Sequence, residues 1–233
     1  MSRPQNPETI IIQNQFYPKG LTEGEVYDYY IKNKQKILKE VIGKNLTFYF
    51  ATDLNNIIVM RKAKTPTGFL RLNYENYDEL ITGRTISIHS NFNRTSDFGI
   101  IDIDIDDFDL AKRATHDIYN LIEMKCPFVN KIKSIYTGKN SFHVICYTRR
   151  PMDIDNFRIQ MRKFLIEDED AQLFKNHYTV LNKRIKGIPN LDLSSNKYLG
   201  GYITLHSLSI LGLKAMEIPI KNIFKFKKEN AKI

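Results

Sequence analysis

The sequence predicts an α+β protein with mixed sheets, and three observations carry that reading. Residues 99–107 (Gly-Ile-Ile-Asp-Ile-Asp-Ile-Asp-Asp) alternate apolar and acidic side chains with period two, the spacing of a strand. Elsewhere apolar residues recur at helical spacing, as with Ala111, Ala114, Ile118, Leu121 and Ile122. Between such stretches lie short β-prone runs bounded by turn residues, so hairpins and crossover helices share one chain.

In chain order, residues 1–15 are polar with two prolines and read as an N-terminal arm, followed by a single domain over 16–233. Thr22-x-x-Glu25 is a capping box, and Val26, Tyr30, Ile37 and Val41 then predict a helix that runs to Gly43. Residues 46–50 and 57–60 are apolar and β-prone around Asp53-Leu-Asn-Asn56, the pattern of a hairpin. Residues 85–89 form another alternating strand. The aspartate strand follows, then the helix marked by Ala111 to Ile122. Residues 133–136 and 142–147 read as a strand pair, and Ile154, Phe157, Met161 and Phe164 mark the next helix. Short strands at 202–205 and 214–218 precede a basic tail at 221–228. No internal repeat or low-complexity linker interrupts this order.

In the aspartate strand, Ile101, Ile103 and Ile105 are expected to line a core while Asp102, Asp104 and Asp106 share the opposite face. Same-face neighbours on a strand stand ~7 Å apart, so their charges repel unless something neutralises them. Aspartate is poorly suited to strands. Three in alternation favour a divalent cation held by oxygen ligands over a merely solvated face.

Residues 136–144 (Tyr-Thr-Gly-Lys-Asn-Ser-Phe-His-Val) form a turn between two strands. Gly138 permits a tight turn, and free backbone N–H groups in such a turn can face a phosphate. Thr137, Lys139, Asn140 and Ser141 add donors and a positive charge, and His143 starts the next strand on the face opposite Phe142. Read alone, the segment is a plain hairpin turn and His143 a hydrogen-bonded structural histidine. Asn190-Leu-Asp-Leu-Ser-Ser-Asn196 sets Asp192 between leucines at strand spacing, which by itself is an ordinary strand-end aspartate.

Composition bounds the rest. With 233 residues, 42% of them hydrophobic, 14 Phe and 13 Tyr, the chain can build a sizeable core. Thirty-five Lys+Arg against 26 Asp+Glu give a net charge of +9, which suits an acidic partner such as nucleic acid. Cys126 and Cys146 make neither a disulfide framework nor zinc-ligand spacing. No apolar run of about 18 residues and no apolar signal core at the start are present, so a soluble, intracellular protein without a membrane partner is expected.

Taken in order, the Asp-x-Asp strand, the Thr-Gly-x-x-x-x-His turn and the later Asp192 resemble the archaeo-eukaryotic primase superfamily. The likeness is more specifically to the polymerase domain of bacterial DNA ligase D and to stand-alone end-joining primase-polymerases. Residues 16–42, opening Phe-Tyr-Pro-Lys-Gly-Leu-Thr-Glu, resemble that family's first strand-to-helix segment. Val59-Met-Arg-Lys62 resembles its strand ending in lysine, and Thr85-Ile-Ser-Ile-His89 its strand ending in histidine. Asp97-Phe-Gly-Ile-Ile-Asp-Ile-Asp104 resembles the run into its first motif, and Asp192-Leu-Ser-Ser-Asn196 its Asp-x-x-x-Asn pattern. Together these cover roughly residues 16–220.

The resemblance implies an RRM-like catalytic sheet packed with an N-terminal mixed α/β lobe, with a cleft between them. Asp102, Asp104 and Asp192 would be the catalytic residues, holding two Mg²⁺ or Mn²⁺ ions; Asp104 and Asp106 form a second Asp-x-Asp pair, so two registers stay open. Thr137, Gly138, Lys139, Asn140, Ser141 and His143 would bind the incoming triphosphate, joined by His206 of Thr204-Leu-His-Ser207. Lys19, Lys62, Lys64 and Arg71 are the candidate nucleic-acid contacts, with Phe69 and Tyr74 as bases' stacking partners or core. The implied enzyme is a template-dependent nucleotidyltransferase, a DNA polymerase or primase that extends a 3′-hydroxyl. Its setting would be end joining and gap filling in DNA repair, or primer synthesis for replication. A DNA template-primer, NTPs or dNTPs, and a separate ligase or other replication or repair protein would be its partners. The expected location is cytoplasmic and nucleoid-associated, with viral or plasmid origin also open.

The chain departs from the family pattern at three places. Ser141 stands where a glycine is usual, Ser209 where ligase-D-type proteins carry an arginine nearby, and Thr22-Glu23 where they carry Thr-Lys. The last change puts recognition of a downstream 5′-phosphate in question, with Lys19 and Lys62 as replacements. Two other classes stand beside the polymerase: an inactive nucleic-acid-binding relative, and a metal-dependent nuclease or phosphoesterase.

Overall fold

The structure, a computed structural model, describes Pro18 and residues 20–54, 57–63, 70–81, 85–167, 191–192 and 200–233, without the side chains of 50–63, 166–167 and 191–192. The described chain divides into two compact units. One gathers the residues up to Asn91 with Tyr202–Met216 and Lys227–Ile233. The other joins Phe92–Gly201 to Glu217–Phe226. The predicted arm at 1–15 lies outside the described residues.

In the first unit, Thr22 starts α1 (Glu23–Lys32) through the expected capping box. Its N–H donates to the Glu25 carboxylate at 2.7 Å while its hydroxyl accepts from Glu25 N–H at 3.3 Å. The single helix expected up to Gly43 breaks at Asn33, whose backbone N–H and side-chain amide both donate to the Tyr29 carbonyl. An asparagine that competes for the helix's own acceptors ends the ladder there. The chain resumes as α2 (Lys34–Val41). Val26, Tyr30, Ile37, Leu38 and Val41 are fully buried, each such side chain contributing roughly 1.5–3 kcal/mol.

These helices accompany a four-stranded sheet of order β2-β1-β3-β8, where β1 is Leu46–Leu54, β2 Ile57–Ala63, β3 Ser87–Asn91 and β8 Gly201–Ile203. The β1–β2 hairpin is longer than expected, pairing Phe48↔Ala63 through Leu54↔Ile57, so Asp53 and Leu54 belong to the strand. β3 begins two residues later than its alternation suggests. Tyr30 ties the unit together: its hydroxyl donates to the Ile86 carbonyl at 2.7 Å and accepts from Leu208 N–H at 3.1 Å. Tyr77, at the start of α3 (Tyr77–Leu80), donates its hydroxyl to the Tyr30 carbonyl at 2.9 Å. Burial pushes the Tyr30 phenol up to about 12.

The second unit holds a five-stranded sheet of order β7-β4-β6-β5-β9. Its strands are β4 (Thr95–Ile103), β5 (Val129–Tyr136), β6 (Phe142–Asp153), β7 (Leu191–Asp192) and β9 (Met216–Glu217). The pairs β4–β6, β5–β6 and β4–β7 are antiparallel. Asp107 caps α4 (Phe108–Lys125) by accepting from Leu110 N–H at 2.8 Å, and Asp153 caps α5 (Ile154–Arg162). Phe108 packs its ring against Tyr136, Phe142 and Phe226. Because neighbours along a strand point to opposite faces, α4 covers the face away from Ile135 and His143. Gly99 is required by α5: a Cβ there would stand 2.2 Å from the Phe157 ring. A short 3-10 helix, Ile220–Lys225, continues the unit after β9.

The aspartate strand ends earlier than its alternation predicts. β4 stops at Ile103, opposite the first residue of β6. Among the described residues no strand pairs beyond that point, and Asp104 to Asp107 lead into α4, although Ile105 is still buried in the core. Cys126 and Cys146 are buried free thiols, as expected, and burial pushes Cys126 up to about 12. Among the described residues no helix is long and apolar enough to cross a membrane.

Candidate active site

Asp102 is the penultimate residue of β4, and the sheet register places it between two other candidates. It lies directly opposite His143 on β6 and directly opposite Asp192 on β7. Residues 41 and 90 positions downstream are thereby brought to one strand end. His143 Nε2 stands 3.5 Å from Asp102 Oδ1; the Asp102 side chain keeps 27% of its exposure and His143 only 10%. The carboxylate is thus open to solvent while the imidazole is enclosed. Burial lowers His143 to about 4, so its ring is neutral at physiological pH. Its Nδ1 is buried with no hydrogen-bond partner among the described residues, an arrangement that buried polar atoms rarely tolerate without a reason.

The 137–141 turn closes the β5–β6 hairpin beside His143. Gly138 adopts φ 85°, the left-handed conformation expected of it. Thr137 N–H donates to the Ser141 carbonyl at 3.2 Å, and the two hydroxyls lie 2.6 Å apart. The Thr137 N–H and the Thr137 and Ser141 hydroxyls, expected to face a phosphate, are therefore engaged within the turn. Tyr136 donates its hydroxyl to the Lys139 carbonyl at 2.5 Å, leaving the Lys139 side chain exposed. Asn140 donates its amide to the Asp106 carbonyl at 3.0 Å, tying the turn to the segment that leaves β4. That tie spans 34 residues, and nothing local in the sequence announces it.

Asp104 and Asp106 are exposed and follow the strand. Among the described residues no three His, Cys, Asp or Glu side chains gather as a metal-binding set. Asp192 enters by backbone register alone. The remaining candidates belong to the first unit or lie outside the described residues. His206 sits at φ 65° with its N–H donating to the Ala215 carbonyl and its carbonyl accepting from the Tyr29 hydroxyl, both at 2.9 Å. Burial, then the charges of Lys36 and Lys214, hold its imidazole below the ordinary value. Arg71 braces a loop, donating to the Gly43 carbonyl at 3.0 Å and Asn45 Oδ1 at 2.8 Å. Lys62 pairs with Tyr49 in the β1–β2 ladder, and Tyr74 is 59% exposed. Lys19, Lys64, Phe69 and Asn196 are outside the described residues.

No protein-family model and no curated protein matches this sequence. Solved structures do match. The polymerase domain of Mycobacterium tuberculosis ligase D, in complex with DNA, superposes with a TM-score of 0.57 at 12% identity, over 92% of this chain and 88% of that one. An identity that low is a likeness of fold. The chain is an α+β protein built on antiparallel sheets, with the fold of a ligase D polymerase domain.

Proposed function

We propose that this chain is a template-dependent nucleotidyltransferase that adds nucleotides to a 3′-hydroxyl. The observation that carries the reading is the register of β4, which sets Asp102 between Asp192 and His143 in a chain with a polymerase-domain fold. Asp102, Asp104 and Asp192 offer only hard oxygen donors, which suit Mg²⁺ or Mn²⁺ rather than softer metals. Asp102 is open to solvent and Asp104 exposed, so neither carboxylate is shut away from a cation. Those three residues would hold the ions, with Asp106 as the alternative partner of Asp104. Held there, such ions would supply activation of the 3′-hydroxyl and charge neutralisation at the pyrophosphate.

The chain's own groups supply the rest. Lys139 presents an ammonium to the triphosphate from the tip of the turn that Gly138 permits. His143, neutral and enclosed, orients Asp102. The structural neighbour was solved with DNA, and the +9 net charge of this chain suits the same partner. Lys19, Lys62, Lys64 and Arg71 are proposed as phosphate contacts.

The deciding experiment is strand synthesis on primed and unprimed DNA templates with dNTPs or rNTPs and Mg²⁺ or Mn²⁺. Synthesis that disappears in Asp102→Ala/Asp104→Ala supports the proposal. Activity without a primer identifies a primase, and activity confined to gapped substrates a gap-filling enzyme. Strand cleavage without pyrophosphate release, or synthesis unaffected by the double substitution, overturns it.

A further inference from the structure

β4 ends at Ile103 and β6 begins at Phe142, and these two residues are cross-strand partners. The link 104–107 that leaves β4 and the turn 137–141 that feeds β6 therefore emerge together from one end of the sheet. The link carries Asp104 and the turn carries Lys139. The groups proposed above for the cation and for the triphosphate thus sit on adjoining segments, neither of them in a strand.

The link is anchored at intervals. Ile103 is held in the ladder, Ile105 is buried, and Asp107 caps α4 by accepting from Leu110 N–H at 2.8 Å. Asp104, between the first two of these anchors, is exposed. The link and the start of α4 meet the turn through two contacts. The Asn140 amide donates to the Asp106 carbonyl at 3.0 Å. Just beyond, the Phe108 ring lies 5.8 Å from each of the rings of Tyr136 and Phe142, the residues that flank the turn.

By type and place Asn140 stands among the phosphate donors of its turn, yet its amide reaches a backbone carbonyl 34 positions away in the chain. That carbonyl belongs to the second residue after Asp104, so the bond restrains the backbone that carries this carboxylate. A carboxylate on an untethered link has to be ordered as a cation binds, and affinity is lost to that ordering; a tethered one is organised beforehand. Residues that orient a metal-binding group without touching the metal typically change its affinity by about 10–100-fold.

We propose that Asn140 is a positioning residue for the cation site, holding the link from the nucleotide turn so that Asp104 is presented to the metal. The proposal rests on the assignment of Asp104 to the cation and deepens it. One side chain makes cation affinity depend on the turn that carries Lys139. Because the acceptor is the backbone of Asp106, the tether does not use the Asp106 carboxylate.

The test is Mn²⁺ binding to the whole chain, read from the electron paramagnetic resonance signal of the free ion, without nucleotide or DNA and with melting curves to confirm folding. Asn140→Leu and Asn140→Ala remove the donor with and without the bulk of the side chain, and each is expected to weaken Mn²⁺ binding about tenfold. Asp104→Ala weakens it as well. Adding Asn140→Leu to Asp104→Ala causes no further loss, because the tether acts through that carboxylate. Wild-type Mn²⁺ affinity in both Asn140 variants overturns the proposal, as does a loss that persists undiminished in the Asp104→Ala background. Primer extension separates the two readings. Extension by the wild type with unaltered Mn²⁺ affinity in the Asn140 variants sinks the tether alone. A Mn²⁺ defect that follows the expected cycle, with no extension by any protein, sinks the polymerase alone.

Discussion

Asp102 and His143 are cross-strand partners whose side chains meet at 3.5 Å, one open to solvent and the other enclosed. Asp102 also lies opposite Asp192 in the backbone register, and its own carboxylate is open to solvent rather than buried in the core. Asp102→Asn is therefore expected to abolish nucleotide addition, by about 100-fold or more, without lowering the melting temperature. Primer extension and thermal melting on one preparation check both halves. A large loss of stability would make Asp102 a structural residue.

The two Asp-x-Asp registers separate by substitution. Asp106 lies in the turn, its carbonyl already taken by Asn140, and Asp107 is occupied as the α4 cap. Asp106→Ala should retain most activity while Asp104→Ala loses it. Asp107→Ala should cost about 1 kcal/mol of stability and little activity. Urea unfolding and extension rates for the three variants decide it, and loss in Asp106→Ala with activity kept in Asp102→Ala would assign the later pair.

Gly138 holds the turn at φ 85°. Replacing it with alanine strains the backbone by about 1–2 kcal/mol and shifts Lys139 and Asn140. The expected result is a raised KM for nucleotide with a smaller change in kcat. An unchanged KM would remove the turn from nucleotide binding.

Gly99→Ala drives a methyl group into the Phe157 ring. Overpacking of this kind costs about 1–3 kcal/mol, and Phe157→Leu in the same chain should recover much of it. Denaturant midpoints of the single and double variants measure the coupling directly.

His206 gives a pH dependence whose sign follows from its lowered value. The imidazole resists protonation in the folded state more than in the unfolded chain, where its ordinary value is 6.5. Its contribution to stability is complete above that value and is lost as pH falls from there toward the lowered one. The denaturant midpoint should drop between pH 7 and pH 5.5, less steeply in His206→Asn. Asparagine tolerates the positive φ at this position, so the substitution isolates the titration from the backbone.

The sequence announced elements through period and capping, which are local. Thr22 with Glu25, the helix after Asp107 and the Gly138 turn were legible because each depends on residues within a few positions. The end of β4 at Ile103 was not, since it depends on where its partner β6 begins, and that strand arrives from about 40 residues away. The break at Asn33 turned on one side-chain amide reaching back to Tyr29, a choice that periodicity does not encode. Asp102, His143 and Asp192 could be proposed as a set only through resemblance; the antiparallel register that joins them is a tertiary fact.

Tyr30 donates its hydroxyl to Ile86 and accepts from Leu208, and that reach reflects how the chain is threaded. It passes between the two units at Asn91/Phe92, Gly201/Tyr202, Met216/Glu217 and Phe226/Lys227. Neither unit is a contiguous cassette. During synthesis, β3 waits for β8 and β5 waits for β9, so both sheets keep an unpaired edge until the C-terminal segments emerge from the ribosome. Excising either unit at its longest stretch would leave the same edges exposed, which makes the whole described chain, rather than a half, the smallest piece able to close both sheets.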